Sequence, residues 1–185
     1  ATINQAQSTQ QVSEAKNNGI NTINQDQPNA VKKNNTKTIL EQKGNEKKSA
    51  IAQTPDATTE EKQEAVSAVS QAVTNGITHI NQANSNDDVD QELSNAEQII
   101  THTDVNVQKK PQARQALIAK TNEKQSAINS DNEGTIEEKQ KAIQSLNDAK
   151  NLADEQITQA ASNQNVDNAL NIGISNISKI QTNFT

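Results

Sequence analysis

The segment from about Thr59 to Ala83 carries its apolar residues on one side of a helix. Its larger aliphatic residues are spaced three or four positions apart: Val66, Val69, Val73, Ile77 and Ile80. This spacing is typical of an amphipathic helix that buries one face. Thr58 precedes the segment as a candidate N-cap residue, and Glu61 follows three positions later, as in a capping box. We therefore predict a long helix over residues 59–83, whose buried face is widened by alanines: Ala65, Ala68 and Ala72.

A second copy of this pattern lies further along the chain. Thr135 and Glu138 repeat the N-cap and capping-box residues. The apolar positions that follow them recur at helical spacing: Ile143, Leu146, Ala149, Ala153, Ile157 and Ala160. The sequence therefore predicts a second long helix that begins just after Thr135.

A shorter helix and a weaker third helix accompany each long one. The shorter helix occurs in three copies, with these apolar residues: Val89, Leu93, Ala96, Ile99 and Ile100; Val166, Ala169, Leu170, Ile174 and Ile177; and Val12, Ala15, Ile20 and Ile23. The third helix is predicted over about 29–52 and 111–129, where these residues mark the buried face: Ile39, Leu40, Ala50 and Ile51, and Ala113, Ala116, Leu117, Ala127 and Ile128. Pro111 suits a first helical turn, whereas Gly44 inside a helix costs about 1 kcal/mol relative to alanine.

The three helices belong to a sequence repeat with a period of 77 positions. Three short segments set its register: Ile3-Asn4-Gln5-Ala6, Ile80-Asn81-Gln82-Ala83 and Ile157-Thr158-Gln159-Ala160. Residues 3–79 and 80–156 are identical at 26 of 77 positions when they are aligned without a gap. A repeat in this range of lengths is typical of arrays of similar structural units.

The pattern predicts an all-α fold of tandem three-helix bundles arranged end to end as an elongated rod. We place the tail of a preceding repeat helix at residues 1–6 and three-helix units at 7–83 and 84–160. Residues 161–185 then supply the first helix of a further repeat. Both ends of the chain fall inside the repeat and no signal peptide is visible at Ala1, so we interpret the sequence as an excerpt from a longer array.

The composition permits several thin cores and excludes one large core. Hydrophobic residues make up 30% of the chain, Phe184 is its single aromatic residue, and it has no cysteine. The low hydrophobicity favours disorder, but the helical spacing of the apolar residues favours narrow bundles. The lack of cysteine excludes disulfides and thiolate metal sites, and no run of 18 apolar residues is present to span a membrane.

The charge does not follow the repeat. Residues 3–79 hold eight lysines and eight acidic residues, whereas residues 80–156 hold eight basic and 14 acidic residues. A function that depends on a fixed electrostatic field would be expected to keep this balance. We therefore interpret most charges as parts of a solvent-exposed face that has drifted between copies.

The sequence contains no catalytic or metal-binding motif. We predict His79 on the polar side of the long helix and His102 in a loop, and neither has a metal-ligand partner at the usual spacing. The paired carboxylates Glu60-Glu61 and Glu137-Glu138 are explained by helix capping and by the helix dipole. We predict that the chain is not an enzyme and holds no cofactor, no metal and no catalytic residue.

Two small basic clusters lie near predicted helix starts: Lys32, Lys33 and Lys37, and Lys109, Lys110 and Arg114. They could contact an anionic partner, but a solvated face is the interpretation we prefer. Nucleic-acid binding requires a basic surface and usually aromatic stacking platforms, which an acidic chain with one phenylalanine lacks. No helix has the strongly apolar face with basic flanks that inserts into a membrane surface, and Arg114 is the single residue of the types that dominate protein-binding hot spots.

The segment from Pro55 to Gln63 (PDATTEEKQ), followed by Ala65-Val66 and Ile80-Asn81-Gln82-Ala83, resembles a known helical repeat. It is similar to the domain of unknown function that is strung many times along giant cell-wall-anchored surface adhesins of staphylococci. The resemblance covers essentially the whole chain, but Asn132-Glu133-Gly134 replaces Pro55-Asp56-Ala57 in the second copy. It implies a three-helix repeat at the extracellular surface of the bacterial cell wall and a role in attachment to host matrix such as fibronectin, in cell aggregation or in biofilm.

Two functions follow from this resemblance and from the residues. The first is a structural spacer in a surface adhesin, whose partners are the neighbouring repeats of the same chain. The alternative is a repeated module that binds a host protein such as fibronectin weakly, because many weak sites together give avidity. We expect no nucleic-acid partner and no insertion into a membrane.

Overall fold

In the computed structural model, residues 8–184 are described, except for the side chains of residues 23–28, and this part of the chain contains six α-helices and no strand. The helices are α1 (Thr9–Ala52), α2 (Thr59–Gln82), α3 (Asn86–His102), α4 (Lys109–Ser130), α5 (Ile136–Gln159) and α6 (Asn163–Ser178). The prediction of an all-α fold of tandem helical bundles is confirmed. The predicted helix tail at 1–6 lies outside the described residues.

The chain divides into two compact units. Unit 1 contains α1 as far as Ala50, α2 from Ser67 onward, and α3. Unit 2 contains α4, α5 and α6 together with residues 51–66, which form the last residues of α1, the turn between α1 and α2, and the first turns of α2. Residues 51–66 therefore belong, by packing, with helices that come later in the chain.

The core of unit 2 is a narrow strip of aliphatic side chains where α4, α5 and α6 pack against one another. Its larger members are almost completely buried: Leu117, Ile128, Leu146, Ile157, Val166 and Ile177. Alanines occupy the closer approaches between helices: Ala113, Ala142, Ala153, Ala160 and Ala169. Burying one Leu, Ile or Val contributes about 1.5–3 kcal/mol, so a few such residues per helix dominate the stability of the unit.

Unit 1 buries residues that precede these by one repeat. Leu40, Val69, Ile80, Val89 and Ile100 lie 77 positions before the Leu117, Leu146, Ile157, Val166 and Ile177 of unit 2, and each is at most 3% exposed. The sequence repeat therefore places the same buried strip of aliphatic side chains in both units.

The predicted apolar faces are correct at their centres and wrong at their edges. In α2, Val69 and Ile80 are buried, whereas Val66, Val73 and Ile77 are half-buried. Other side chains predicted on buried faces are exposed: Ile39, Ala50, Ala68, Ile99, Ala116 and Ala127. Each of them is next to a buried residue in sequence, and one position turns a helix by about 100°, so these thin bundles cover only a narrow strip of each helix.

The first helix is longer than the sequence predicts. Two helices were expected there, but α1 runs unbroken from Thr9 to Ala52. The expected burial of Val12 and Ile20 is wrong, because their side chains are 40% and 43% exposed. Ile23 lies among the side chains that are not described.

Gly44 lies buried where α1 approaches α2. A Cβ atom at this position would come within 2.5 Å of Val73 Cγ2, which is closer than van der Waals contact allows. The helix-propensity cost of this glycine is therefore offset by the close approach of the two helices.

Candidate functional site

The start of α2 carries the capping box that the sequence predicts. The backbone N–H of Thr58 donates to Glu61 Oε2 at 2.8 Å, and Thr58 Oγ1 accepts from the backbone N–H of Glu61 at 3.4 Å. Thr135 and Glu138 form the same box at the start of α5, at 2.8 and 3.2 Å. Both predicted boxes are confirmed, and the Thr58 side chain is in addition completely buried.

Glu61 also caps a second helix. Its Oε1 accepts hydrogen bonds from the backbone N–H groups of Gln108 at 2.8 Å and Lys109 at 2.7 Å. These groups lie at the N-terminus of α4, whose own N-cap residue, Gln108, makes no side-chain capping bond. One carboxylate therefore satisfies backbone donors at the start of two helices, which would otherwise lack partners.

Partial burial and hydrogen bonding act on Glu61 in opposite directions. Desolvation raises the pKa of its carboxyl, but the hydrogen bonds from the backbone N–H groups of Thr58, Gln108 and Lys109 together outweigh it. The resulting pKa lies below the ordinary value of 4.5. The capping carboxylate is therefore held in its charged form.

The residues around Glu61 contact the start of α6. The backbone N–H of Thr59 donates to the Ala161 carbonyl oxygen at 2.9 Å. Thr58 Oγ1 donates to Asn163 Oδ1 at 2.7 Å, and Glu60 Oε2 accepts from the backbone N–H of Asn163 at 2.9 Å. The first turn of α2 thus joins the N-termini of α4 and α6 within unit 2.

Arg114 binds the turn that precedes α2. Its guanidinium forms a forked pair with the carboxylate of Asp56, and its Nε donates to Asp154 Oδ1 at 2.9 Å. Its Nη2 also donates to Thr158 Oγ1 at 2.9 Å. The backbone of Asp56 has a φ of 63°, a conformation that aspartate tolerates better than most residues. The guanidinium therefore connects this turn to α4 and to the end of α5.

The pairing changes the pKa of both partners. The hydrogen bond from Arg114, opposed by partial desolvation, holds the pKa of Asp56 below its ordinary value of 3.8. The same hydrogen bond raises the pKa of the Arg114 guanidinium above its ordinary value. Both groups are therefore charged at neutral pH, and their donors and acceptors are directed at each other.

The interpretation of the second basic cluster as a solvated face is wrong for Lys110. Its side chain is 5% exposed, and its Nζ donates to the Thr158 carbonyl oxygen at 2.7 Å, near the C-terminus of α5. In unit 1, Lys33 Nζ donates in the same way to the Asn81 carbonyl oxygen at 3.0 Å. Cations near helix C-termini are stabilised by the helix dipole, so these lysines act as inter-helix caps.

The neighbouring lysines form ion pairs that also repeat. Lys32 pairs with Asp90 at 2.5 Å in unit 1, and Lys109 pairs with Asp167 at 2.7 Å in unit 2. Both residues of the second pair follow those of the first by 77 positions. The charges kept between the copies therefore include those that connect helices within a unit.

The turn before α5 is held by other residues than the turn before α2. Asp131 Oδ1 accepts from the backbone N–H groups of Gly134 at 2.6 Å and Glu133 at 3.0 Å. The hydrogen bond from Gly134 is the main cause of a lowered pKa for Asp131, and that from Thr135 lowers the pKa of Glu138. A Cβ on Gly134 would lie 2.6 Å from Phe184 Cδ2, so the single aromatic ring packs against a glycine.

Both histidines belong to unit 1. His79 Nδ1 is 3.3 Å from Glu92 Oε2, and its side chain is 58% exposed. His102 is the last residue of α3 rather than a loop residue, and its Nδ1 is 2.7 Å from the Gln98 carbonyl oxygen. In the described part of the chain, no group of three His, Asp or Glu side chains could hold a metal ion.

Two grooves beside the described helices are open to solvent. One groove, of about 360 Å³, lies between α1 and α3 in unit 1 and is lined mainly by Lys43, Glu46, Lys47 and Glu97. Another, of about 410 Å³, lies beside α5 and is lined by Glu138, Lys141 and Phe184. Small-molecule sites are usually enclosed and mostly apolar with a few converging polar groups, and neither groove has that form.

The sequence predicts the capping boxes but not the contacts that Glu61 and Asp56 make with later helices. The contacts of Glu61 with α4 and of Arg114 with Asp56 join residues more than 40 positions apart, and no local pattern marks them. One signal was available: Lys32-Lys33 recurs unchanged one repeat later as Lys109-Lys110, although the net charge around them changes. Charges kept in a drifting background indicate a structural contact.

A known protein family matches the sequence repeat. A family model described as Domain of Unknown Function (DUF1542) matches residues 1–31, 32–108 and 109–185. The last two matches have the predicted period, but they begin at residues 32 and 109, whereas the predicted units begin at 7 and 84. No curated protein and no solved structure matches the chain.

Proposed function

This chain belongs to the DUF1542 family, and on that premise we propose that it is a spacer repeat in the stalk of a bacterial cell-surface adhesin. The parent protein is of the kind exemplified by the giant extracellular-matrix-binding and surface protein C adhesins of staphylococci, and it lies outside the cell on the cell wall. In this proposal the repeat supplies length and carries no catalytic activity. Its partners are the repeats next to it.

The observation that carries the proposal is the nature of what recurs between copies. The buried strip, the capping boxes at Thr58 and Thr135, and the Lys–Asp pairs all recur with the period of the sequence repeat, and all of them hold helices together. Among the described residues, every buried side-chain nitrogen or oxygen has a hydrogen-bond partner. The groups with shifted pKa are likewise directed at partners within the chain.

The state of Arg114 argues against the alternative, a repeated weak binding module for a host protein such as fibronectin. Arginine is favoured at protein-binding hot spots, but this one is engaged by Asp56, Asp154 and Thr158. A host protein would have to displace those contacts to use it. None of the helices in the described part of the chain has the length and hydropathy that crossing a membrane requires.

A binding experiment distinguishes the two functions. The full chain is immobilised, and fibronectin is passed over it at physiological salt, with a parallel gelatin surface to check that the fibronectin is active. The spacer proposal expects no saturable binding up to micromolar fibronectin. Saturable binding in that range, reduced by Arg114→Ala, would support the binding module instead.

Solution scattering tests whether the repeats form an elongated particle, as a spacer requires. A compact globule of this chain length has a radius of gyration of about 16 Å. Bundles arranged end to end, as the sequence predicts, would give a clearly larger value, because the 24 residues of α2 alone span about 36 Å. A radius close to that of the globule would contradict the proposed spacer.

A further inference from the structure

The N-terminal part of α1 repeats the pattern of α3 and α6. Ser8 Oγ accepts from the backbone N–H of Gln11 at 3.2 Å. Ser85 Oγ and Ser162 Oγ accept from the third residue after them in the same way, at 3.0 and 3.1 Å. The three serines are spaced by one repeat each, so residues 8–22 form a third copy of the α3 and α6 helix start.

The apolar face of this third copy is exposed at the positions that the structure describes. Val89 in α3 and Val166 in α6 are completely buried, whereas Val12 at the matching position is 40% exposed. Gly173 in α6 is buried and touches Ala153 of α5. Gly19 lies two repeats earlier, and among the described residues no atom beyond its own helix backbone and chain neighbours lies within 4 Å of where its Cβ would be. The apolar face of residues 8–22 therefore has the residue types of a packed helix, but the described residues place no helix against it.

Gly19 itself limits which helix could cover the face. In unit 2, a Cβ on Gly173 would overlap the Cβ of Ala153. In unit 1 the two residue types are exchanged: Gly76 lies on α2, and its added Cβ would lie 2.7 Å from the Cβ of Ala96 on α3. We call the point where the long helix of a unit contacts its short helix the crossing (α2 with α3, and α5 with α6). It has room for one alanine methyl group, on either helix but not on both.

We propose that residues 8–22 are a docking surface for the first two helices of another DUF1542 repeat, and that Gly19 selects a repeat with alanine at the position of Ala153. The partner is a helix pair like α4 and α5, whose Leu117 and Ala153 contact Gly173. Ser13 stands where Asp90 and Asp167 form ion pairs with lysine, so this docking relies on the apolar strip and the crossing. The inference rests on family membership and does not depend on the spacer function.

The test adds such a helix pair to the full chain in register. Residues 1–7 are replaced by a copy of residues 109–161, so that the copy joins Ser8 as residue 161 joins Ser162. Hydrogen exchange of the amides of residues 9–22 is then compared with that in the original chain. The added pair is expected to slow this exchange by about tenfold or more, because the segment becomes part of a packed unit.

Two substitutions test the selection by Gly19. Ala153→Gly in the added copy and Gly19→Ala are made singly and together in the extended chain. The starting protein and the double variant each have one methyl group at the crossing, so both should protect residues 9–22. Ala153→Gly alone leaves a gap and Gly19→Ala alone gives two methyl groups, so each should lose most of the protection.

Three results would overturn the proposal. The first is unchanged exchange of residues 9–22 in the extended chain, and the second is equal protection in all four proteins. The third is dimerisation of the original chain that Val12→Ser abolishes, since this would assign the face to a second copy. Fibronectin binding by the original chain would refute the spacer function and leave the docking result unaffected.

Discussion

Gly76 and Ala96 in unit 1 become Ala153 and Gly173 in unit 2 at the crossing between the long and the short helix. The total side-chain volume at the crossing is kept although both residues change. Nothing in a single helix requires this exchange, because alanine is the better helix former at all four positions. The constraint is the distance between two helix backbones.

We predict that Gly76→Ala destabilises unit 1 in spite of the better helix propensity. The new methyl group would meet Ala96 Cβ at 2.7 Å and Leu40 Cδ2 at 2.6 Å. Overpacking of this kind costs about 1–3 kcal/mol, and alanine recovers about 1 kcal/mol of propensity, so a net loss of up to about 2 kcal/mol is expected in urea unfolding followed by circular dichroism. Adding Ala96→Gly should restore most of the loss, because the pair then matches unit 2.

Gly19→Ala is the matched control for this substitution. It places the same methyl group in open space on a helix, so helicity should rise or stay constant. A double variant Gly76→Ala with Ala96→Gly that is less stable than Gly76→Ala alone would contradict the one-methyl crossing.

Arg114 is the second residue whose role depends on its setting. Lys37 occupies the matching position in unit 1, so Arg114→Lys is a natural exchange. Lysine keeps the charge but cannot form the fork to Asp56 together with the bonds to Asp154 and Thr158. Because these groups are partly exposed, we expect a loss of about 1 kcal/mol in the free energy of unfolding.

Lys120→Ala is the control for this prediction. It removes an ion pair with Glu123 on the exposed surface of α4, where such pairs contribute about 0.3–0.5 kcal/mol. Equal effects of Arg114→Lys and Lys120→Ala would show that the Arg114 cluster adds nothing beyond an ordinary surface pair.

At the scale of helices, the sequence predicts well where most helices lie and how they are capped. It predicts poorly which helices contact each other. The helix over 59–83 is observed as α2 (Thr59–Gln82), because spacing and capping are local properties of the chain. The sequence does not predict the unbroken α1, because the four polar residues after Ile23 and the proline that follows them, Pro28, give no helical pattern. The double capping by Glu61 was missed because it depends on where Gln108 and Lys109 lie after folding.

The double role of Glu61 gives a prediction at this scale. Glu61→Ala removes the acceptor for Thr58 and for the two free N–H groups at the start of α4. Losing a cap costs about 1 kcal/mol, so about 2 kcal/mol is expected when the caps of two helices are lost. Glu138→Ala is the control, because the hydrogen bonds that the structure describes for Glu138 lie within its own box at Thr135. Chemical denaturation should show a clearly smaller loss for Glu138→Ala, and equal losses would exclude the capping of α4 by Glu61.

At the scale of the whole chain, the period was predictable and the grouping of helices was not. The repeat period is visible in the residues alone, and the family matches have the same period. The structure groups the third, long and short helices in that order, as α4, α5 and α6 in unit 2. Periodicity cannot reveal this order, since any starting point in a cycle gives the same spacing.

Among the side chains that the structure describes, the carboxyls with a lowered pKa all lie in unit 2, which gives a prediction for acid. They are Asp56, Glu61, Asp131 and Glu138. Because the pKa of each is lower in the folded state, each contributes stability above its ordinary pKa of 3.8 or 4.5 and loses it as the pH falls through the folded value. Unit 2 should therefore lose stability progressively below about pH 5, with its caps and the Asp56–Arg114 pair released by protonation.

Amide NMR spectra recorded from pH 7 down to about pH 3 follow this loss residue by residue. Signals of α4, α5 and α6 should weaken before those of α3, because the protonated carboxyls support only unit 2. The double variant Asp56→Asn with Glu61→Gln supplies the control: it should be less stable at neutral pH and lose less stability on acidification, since two of the four titrating groups are gone. Simultaneous loss of signals from both units, unchanged in the double variant, would mean that overall charge repulsion rather than these carboxyls governs the response to acid.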